Sequence, residues 1–163
     1  MSERPVPDPA DPGDGPVPAW TRDDGHVVST DPARLDFDVI HPALAASYWS
    51  PGVERARVER AARHSIPFGL YAPDGVQCGY CRVVSDRATF AYLADVIVVE
   101  TARGRGLGRW LVSCTLAHPD LQDLRRWMLF TRDAHLLYAR LGFGPLTNPA
   151  RVMVRPGGAP STI

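Results

Sequence analysis

The 163-residue chain contains no lysine, and all eighteen of its basic residues are arginine. That excludes Schiff-base chemistry on the protein's own side chains, and with it the lysine-bearing phosphate loop of ATPases. What remains is a planar, permanently charged guanidinium whose shape suits phosphate. Net charge is lacking too, because eighteen acidic residues balance the arginines. General binders of nucleic acid or anionic membranes carry a basic excess, so neither partner is expected and any use of positive charge must be local. No apolar run is long enough to span a bilayer. The opening MSERPVPDPADPGDGP has no apolar core of the kind that drives secretion. Cysteine is scarce: Cys78, Cys81 and Cys114 are too few, and odd in number, for a disulfide scaffold. A cytoplasmic location is the expectation. Cys78 and Cys81 have zinc-like spacing, but in a strand positions i and i+3 face opposite sides and no second ligand pair accompanies them. No metal is expected, and Cys114 reads as a buried helix residue.

One domain fits the length. Residues 1–25 carry six prolines among Asp and Gly and read as a disordered tail. A single domain is expected over residues 26–157, with a flexible end at 158–163. Residues 26–30 suggest a short strand. Residues 38–48 place Val39, Ile40, Leu44 and Tyr48 at helical spacing, and residues 53–64 read as a second, Arg/Glu-rich helix with a solvated outer face. Residues 68–71 and 76–84 flank Ala72-Pro73-Asp74-Gly75, which predicts a hairpin. A longer strand over 89–99 ends in Val96-Ile97-Val98-Val99. A helix follows over 107–117, then a strand over 126–131, a helix over 134–140 closed by Gly142, and a last strand over 152–155. This order predicts an α/β fold with a mixed, mostly antiparallel sheet of six or seven strands and helices on both faces.

Where the long strand hands over to a helix stands Arg103-Gly104-Arg105-Gly106-Leu107-Gly108-Arg109. A helix start leaves backbone N–H groups unpaired and carries partial positive charge. Glycines before it let the chain turn sharply and approach a ligand, and together these form a cradle for phosphate oxygens. An ordinary capped turn would not need three alternating glycines, each unfavourable by roughly 0.5–1 kcal/mol relative to Ala. The Gly-Lys-Ser/Thr of a Walker loop is absent, and Arg109 stands where a dinucleotide fingerprint needs its third glycine.

The pattern Arg-x-x-Gly-x-Gly at residues 103–108 resembles the pyrophosphate loop of the GNAT superfamily of acyl-CoA-dependent N-acyltransferases. Further along, Ala134-His135-Leu136-Leu137-Tyr138-Ala139-Arg140-Leu141-Gly142-Phe143 is similar to that family's Ala-x-x-Leu-Tyr-x-(Lys/Arg)-x-Gly-Phe. The resemblance covers roughly residues 67–155. It implies a GNAT-like sheet and direct transfer of an acetyl group from acetyl-CoA to an amine. The diphosphate would lie on residues 103–109 and the pantetheine along the backbone of Val96, Ile97 and Val98. Tyr138 takes the family's general-acid position; a phenol with a pKa near ~10 stays protonated at neutral pH yet can donate to a departing thiolate. Thr131 stands where members often carry an Asn that touches pantetheine.

Asp95 interrupts an otherwise apolar strand, so it must be solvated, paired or used. It is the candidate base for the amine, either directly or through water, and a structural hydrogen bond is the competing reading. Alternation along the strand predicts that Tyr92 lies on the opposite pleat. His41, Tyr48, Trp49 and Phe68 are candidates to line the acceptor pocket, where aromatics would hold a small amine by cation–π contact. An acetyltransferase acting on a small-molecule or amino-acid-like amine is the leading function. A non-catalytic acyl-CoA sensor that regulates a partner is the alternative from another class, and a plain nucleotide-binding module is a weaker third. The last strand offers an edge for a homodimer.

Overall fold

The computed structural model of the protein describes residues 16–155 and 157. Six strands form one sheet: β1 (Ala19–Thr21), β2 (Val27–Ser29), β3 (Ile66–Tyr71), β4 (Gln77–Ser85), β5 (Phe90–Val98) and β6 (Arg126–Met128). Their order in the sheet is their order in the chain. All neighbours run antiparallel except β5 and β6, which are parallel. A parallel step needs a crossover, and α3 (Leu107–Leu116) supplies it. Two helices, α1 (Phe37–Ala45) and α2 (Arg55–Arg63), fill the connection from β2 to β3. A short α4 (His135–Ala139) follows β6.

Each face of the sheet has its own apolar layer. α1 and α2 bury Ile40, Leu44, Val58 and Ala62 against Tyr80 of β4 and Ile97 of β5. α3 packs on the other face, burying Leu107, Leu111, Val112 and Cys114. A fully buried leucine such as Leu111 contributes on the order of 1.5–3 kcal/mol. Side-chain caps and ties fix the first face. Asp36 accepts from the Asp38 amide at 2.9 Å to start α1, and its own amide donates to Gln77 of β4 at 2.7 Å. Arg55 pairs with Asp38 of α1 and with Glu59 one turn along α2. The predicted hairpin between β3 and β4 closes at Gly75, φ +87°, with the Ala72 amide donating to the Val76 carbonyl at 2.8 Å.

Contacts divide the chain into two units, the described residues up to Phe130 and those from Thr131 onward, where the sequence predicts one domain over 26–157. The whole sheet and α1–α3 belong to the first unit. In the second, α4 ends at Gly142, φ +89°, whose amide donates to the Ala139 carbonyl while the Phe143 amide donates to that of Tyr138. This is the left-handed cap the sequence predicts. Among the described residues no helix is long and apolar enough to cross a membrane.

Three expectations need correction. The predicted tail over residues 1–25 is too long, because β1 forms at Ala19–Thr21 and Trp20 stacks on Phe68 at 6.2 Å. One large aromatic outweighs the polar average of its neighbourhood. The rest of that tail, residues 1–15, and the flexible end at 158–163 lie outside the described residues. The fifth predicted strand is shorter than expected, stopping at Met128 rather than 131. The last predicted strand, 152–155, does not form. Met153 is 96% and Val154 73% exposed, and the second unit holds no strand among its described residues for this segment to pair with.

Gly79 sits where three strands meet. A Cβ there would lie 2.9 Å from the Ile97 carbonyl oxygen of β5 and 2.8 Å from Leu70 of β3. Backbone cannot yield cheaply, so Gly79→Ala should cost about 1–3 kcal/mol, read as a lower urea midpoint at unchanged m-value.

Candidate functional site

The site begins with an irregularity in β5. Tyr80 pairs with Ile97 and Arg82 pairs with Ala94, so the single residue Cys81 stands opposite two, Asp95 and Val96. Asp95 has φ +57°, a left-handed conformation uncommon for an L-residue. Together these make a β-bulge, which bends a strand and increases its twist. Only the beginning of β5, Phe90 to Tyr92, bonds to β6. Along residues 94–98 that edge of β5 has no strand partner among the described residues.

The bulge also turns Asp95 onto the α1–α2 face. Its Oδ2 accepts from Arg82 Nε at 2.6 Å, and its Oδ1 from Trp49 Nε1 at 3.3 Å. Arg82 donates onward to Ser65 Oγ at 3.2 Å, at the end of α2. The two charged side chains are only 14% and 18% exposed. The prediction that Tyr92 and Asp95 lie on opposite pleats is therefore wrong, because alternation breaks at the bulge. Burial, and then the negative charge of Asp95, raise the Tyr92 phenol above its ordinary range. Tyr80 lies on the same face, buried, and its hydroxyl has no hydrogen-bond partner among the described residues. Burial pushes that phenol up as well.

At the far end of β5 the chain passes through a short turn, Glu100–Ala102, into the glycine loop. Gly104 (φ +78°) and Gly106 (φ +72°) are both left-handed. A Cβ at either would meet nothing within 4 Å. Backbone conformation, not crowding, is what requires glycine there. No side chain caps α3; Gly106 holds that position, and the first helical amide to find an acceptor is Trp110, bonded to Gly106 O at 3.1 Å. The amides of Leu107, Gly108 and Arg109 thus lead into the loop with no intrahelical acceptor. Arg103, Arg105 and Arg109 are exposed around it, and Arg103 Nε donates to the Val98 carbonyl at 3.0 Å, tying the loop to β5.

Open backbone donors at a helix start, cationic side chains around them and an unpaired strand edge leading away come together here, an arrangement whose chemistry suits an anionic group. Val96 and Val98 are half-buried on that strand, and Ile97 points into the core with only its backbone available.

Other predicted site residues fall elsewhere. Phe68 is a correction: it is fully buried on the α3 face, edge-on to His118 at 5.7 Å, and cannot line a pocket on the Asp95 side. His41 Nε2 contacts the Val53 carbonyl at 2.9 Å, which joins α1 to the segment leading into α2. Tyr48 and Trp49 are both exposed, their rings edge-on at 4.9 Å. Thr131 and Tyr138 belong to the second unit. There Thr131 Oγ1 accepts from the Ala134 amide at 3.0 Å, and the Tyr138 ring meets Phe143 edge-on at 6.0 Å. Sequence reasoning missed Arg82, although the signal that marks Asp95, a charge within an apolar strand, marks Arg82 equally.

Comparison with known proteins bears on the family of the chain. The acetyltransferase (GNAT) domain family matches residues 67–145. A candidate acetyltransferase of Gibberella zeae is 36% identical over 146 residues, covering 76% of this chain and 81% of that one. The crystal structure of a candidate GNAT acetyltransferase from Xanthomonas campestris pv. campestris superposes with a TM-score of 0.77 at 48% identity, covering 80% of this chain and 92% of that one. A Mycobacterium tuberculosis protein crystallised with CoA shares the fold, with a TM-score of 0.54 at 20% identity over 70% of this chain and 74% of that one. The proteins it matches are acetyltransferases. The chain belongs to the GNAT family.

The Arg82–Asp95 pair is partly buried, so removing one partner strands the other. A double-mutant cycle with Arg82→Ala and Asp95→Ala, followed by urea unfolding, should give a coupling of about 1–3 kcal/mol, well above the ~0.5 kcal/mol of an exposed pair.

Proposed function

We propose that the protein is an N-acetyltransferase that moves an acetyl group from acetyl-CoA directly to an amine of a small-molecule or amino-acid-like acceptor. The observation that carries this reading is the open glycine loop at the start of α3, continuous with the unpaired edge of β5. The loop amides and α3 hold the diphosphate. Backbone groups of Val96, Ile97 and Val98 receive the pantetheine as an added strand would be received, and one N–H of that segment polarises the thioester carbonyl.

Attack of the amine nitrogen on the thioester carbon forms the C–N bond and breaks C–S. The amine gives up a proton and the thiolate gains one. Tyr138 is the donor to the thiolate, a role supported by its place in the motif at residues 134–143. Asp95 faces the acceptor and takes the amine proton through water, because both its oxygens already accept hydrogen bonds, from Arg82 and Trp49. The exposed Tyr48–Trp49 pair gives a cationic amine an aromatic surface beside that carboxylate.

Calorimetry should show CoA and acetyl-CoA binding to the protein more tightly than ATP. Acetyl-CoA turnover, screened against amines, amino acids and peptides, should identify the acceptor. With that acceptor, Tyr138→Phe and Asp95→Asn should each lower kcat by about 10²-fold while CoA still binds. Unchanged CoA release in both variants would remove these two residues from the chemistry, and CoA binding with no turnover on any acceptor would instead favour a sensor.

A further inference from the structure

The glycine loop is held from outside by the strand the sequence reading places in a disordered tail. Arg22 stands just beyond β1 and sends NH1 to the carbonyl oxygen of Arg105, 3.1 Å away and 83 residues along the chain. Its guanidinium also lies over the Trp110 ring in the first turn of α3, 5.8 Å from the centroid. The other side of the same group is fully engaged: Nε donates to Asp24 Oδ1 at 3.0 Å and NH2 to Oδ2 at 2.5 Å. Asp24 is fixed in turn by the buried His26, whose amide donates to it at 3.3 Å and whose ring Nδ1 lies 3.0 Å away. The pairing with Arg22 drives the Asp24 carboxyl well below the usual range and raises the guanidinium.

We infer that Arg22 is a positioning residue for the diphosphate loop. The inference rests on the acetyl-CoA reading and goes one step past it. In a trans peptide the carbonyl and the following N–H point in opposite directions. Fixing the Arg105 carbonyl toward Arg22 therefore aims the Gly106 N–H to the other side. A loop with two left-handed glycines and no crowding around them has little else to select one orientation of that peptide plane. Arg22 selects it, and its contact with Trp110 keeps the plane in register with α3. Three of its five N–H donors are committed to Asp24 and the Arg105 carbonyl and its charge is balanced by Asp24, so Arg22 acts on the loop.

The test compares CoA with pantetheine, which lacks the diphosphate. Calorimetry reads CoA affinity, and NMR titration reads the weaker pantetheine. Arg22→Ala should raise the Kd for CoA about 10-fold and leave that for pantetheine within about 2-fold, with Arg22→Lys falling between wild type and Arg22→Ala because it keeps one charged donor. Unchanged CoA affinity in Arg22→Ala overturns the inference. So does an equal loss for both ligands, which marks a general effect on the fold. If Arg22→Ala does not fold, Arg22→Gln, which keeps the length and one neutral donor, takes the same comparison with the same outcomes. A wild-type protein that fails to bind CoA overturns the acetyl-CoA reading itself, and this inference with it.

Discussion

The bulge at Asp95 and Val96 is the constraint on which the rest of the first unit depends. One extra residue in β5 does three things at once. It bends the strand within the stretch that lies beyond the short pairing with β6. It reverses the facing of Asp95, which then meets Arg82 and Trp49 on the α1–α2 side. It also sets the line along which β5 delivers the chain to the glycine loop. A regular strand would have turned Asp95 toward the apolar layer beneath α3, where an unpaired carboxylate is costly.

Around that bulge the sheet works as two separate laminates. The face beneath α3 is almost wholly apolar, with Phe68, Cys81, Leu111 and Val112 buried. The face beneath α1 and α2 mixes an apolar cluster around Tyr80 and Ile97 with a polar chain running from Ser65 through Arg82 and Asp95 to Trp49. Polar groups that are buried and linked in this way hold defined positions, which reactive chemistry needs. The glycine loop lies at the end of β5, on open backbone, and is tied by contacts from β5 through Arg103 and from the β1–β2 turn through Arg22.

Much of this was legible in local patterns. The turn residues Ala72-Pro73-Asp74-Gly75 marked the hairpin of β3 and β4, a long apolar run marked β5, and helical spacing marked α1 to α3. Glycines 104, 106 and 142 sit at positive φ where the motifs place them. The failures share one cause. Trp20 and residues 152–154 have local patterns that are overruled by what lies next to them in space: Trp20 finds the Phe68 ring, and the terminal segment has no strand to pair with among the described residues of its own unit. Phe68 looks the same in sequence whichever face it occupies.

The sequence by itself determined that this chain builds a mostly antiparallel sheet with a glycine-rich turn between β5 and α3, because backbone preference and hydrophobic period are properties of neighbouring residues. Only the tertiary structure decided that Asp95 meets Arg82, that Phe68 is sealed beneath α3, and that Arg22 reaches Arg105. Strand register and helix packing set those distances between residues far apart in the chain, and a bulge of one residue is enough to reverse which of them meet.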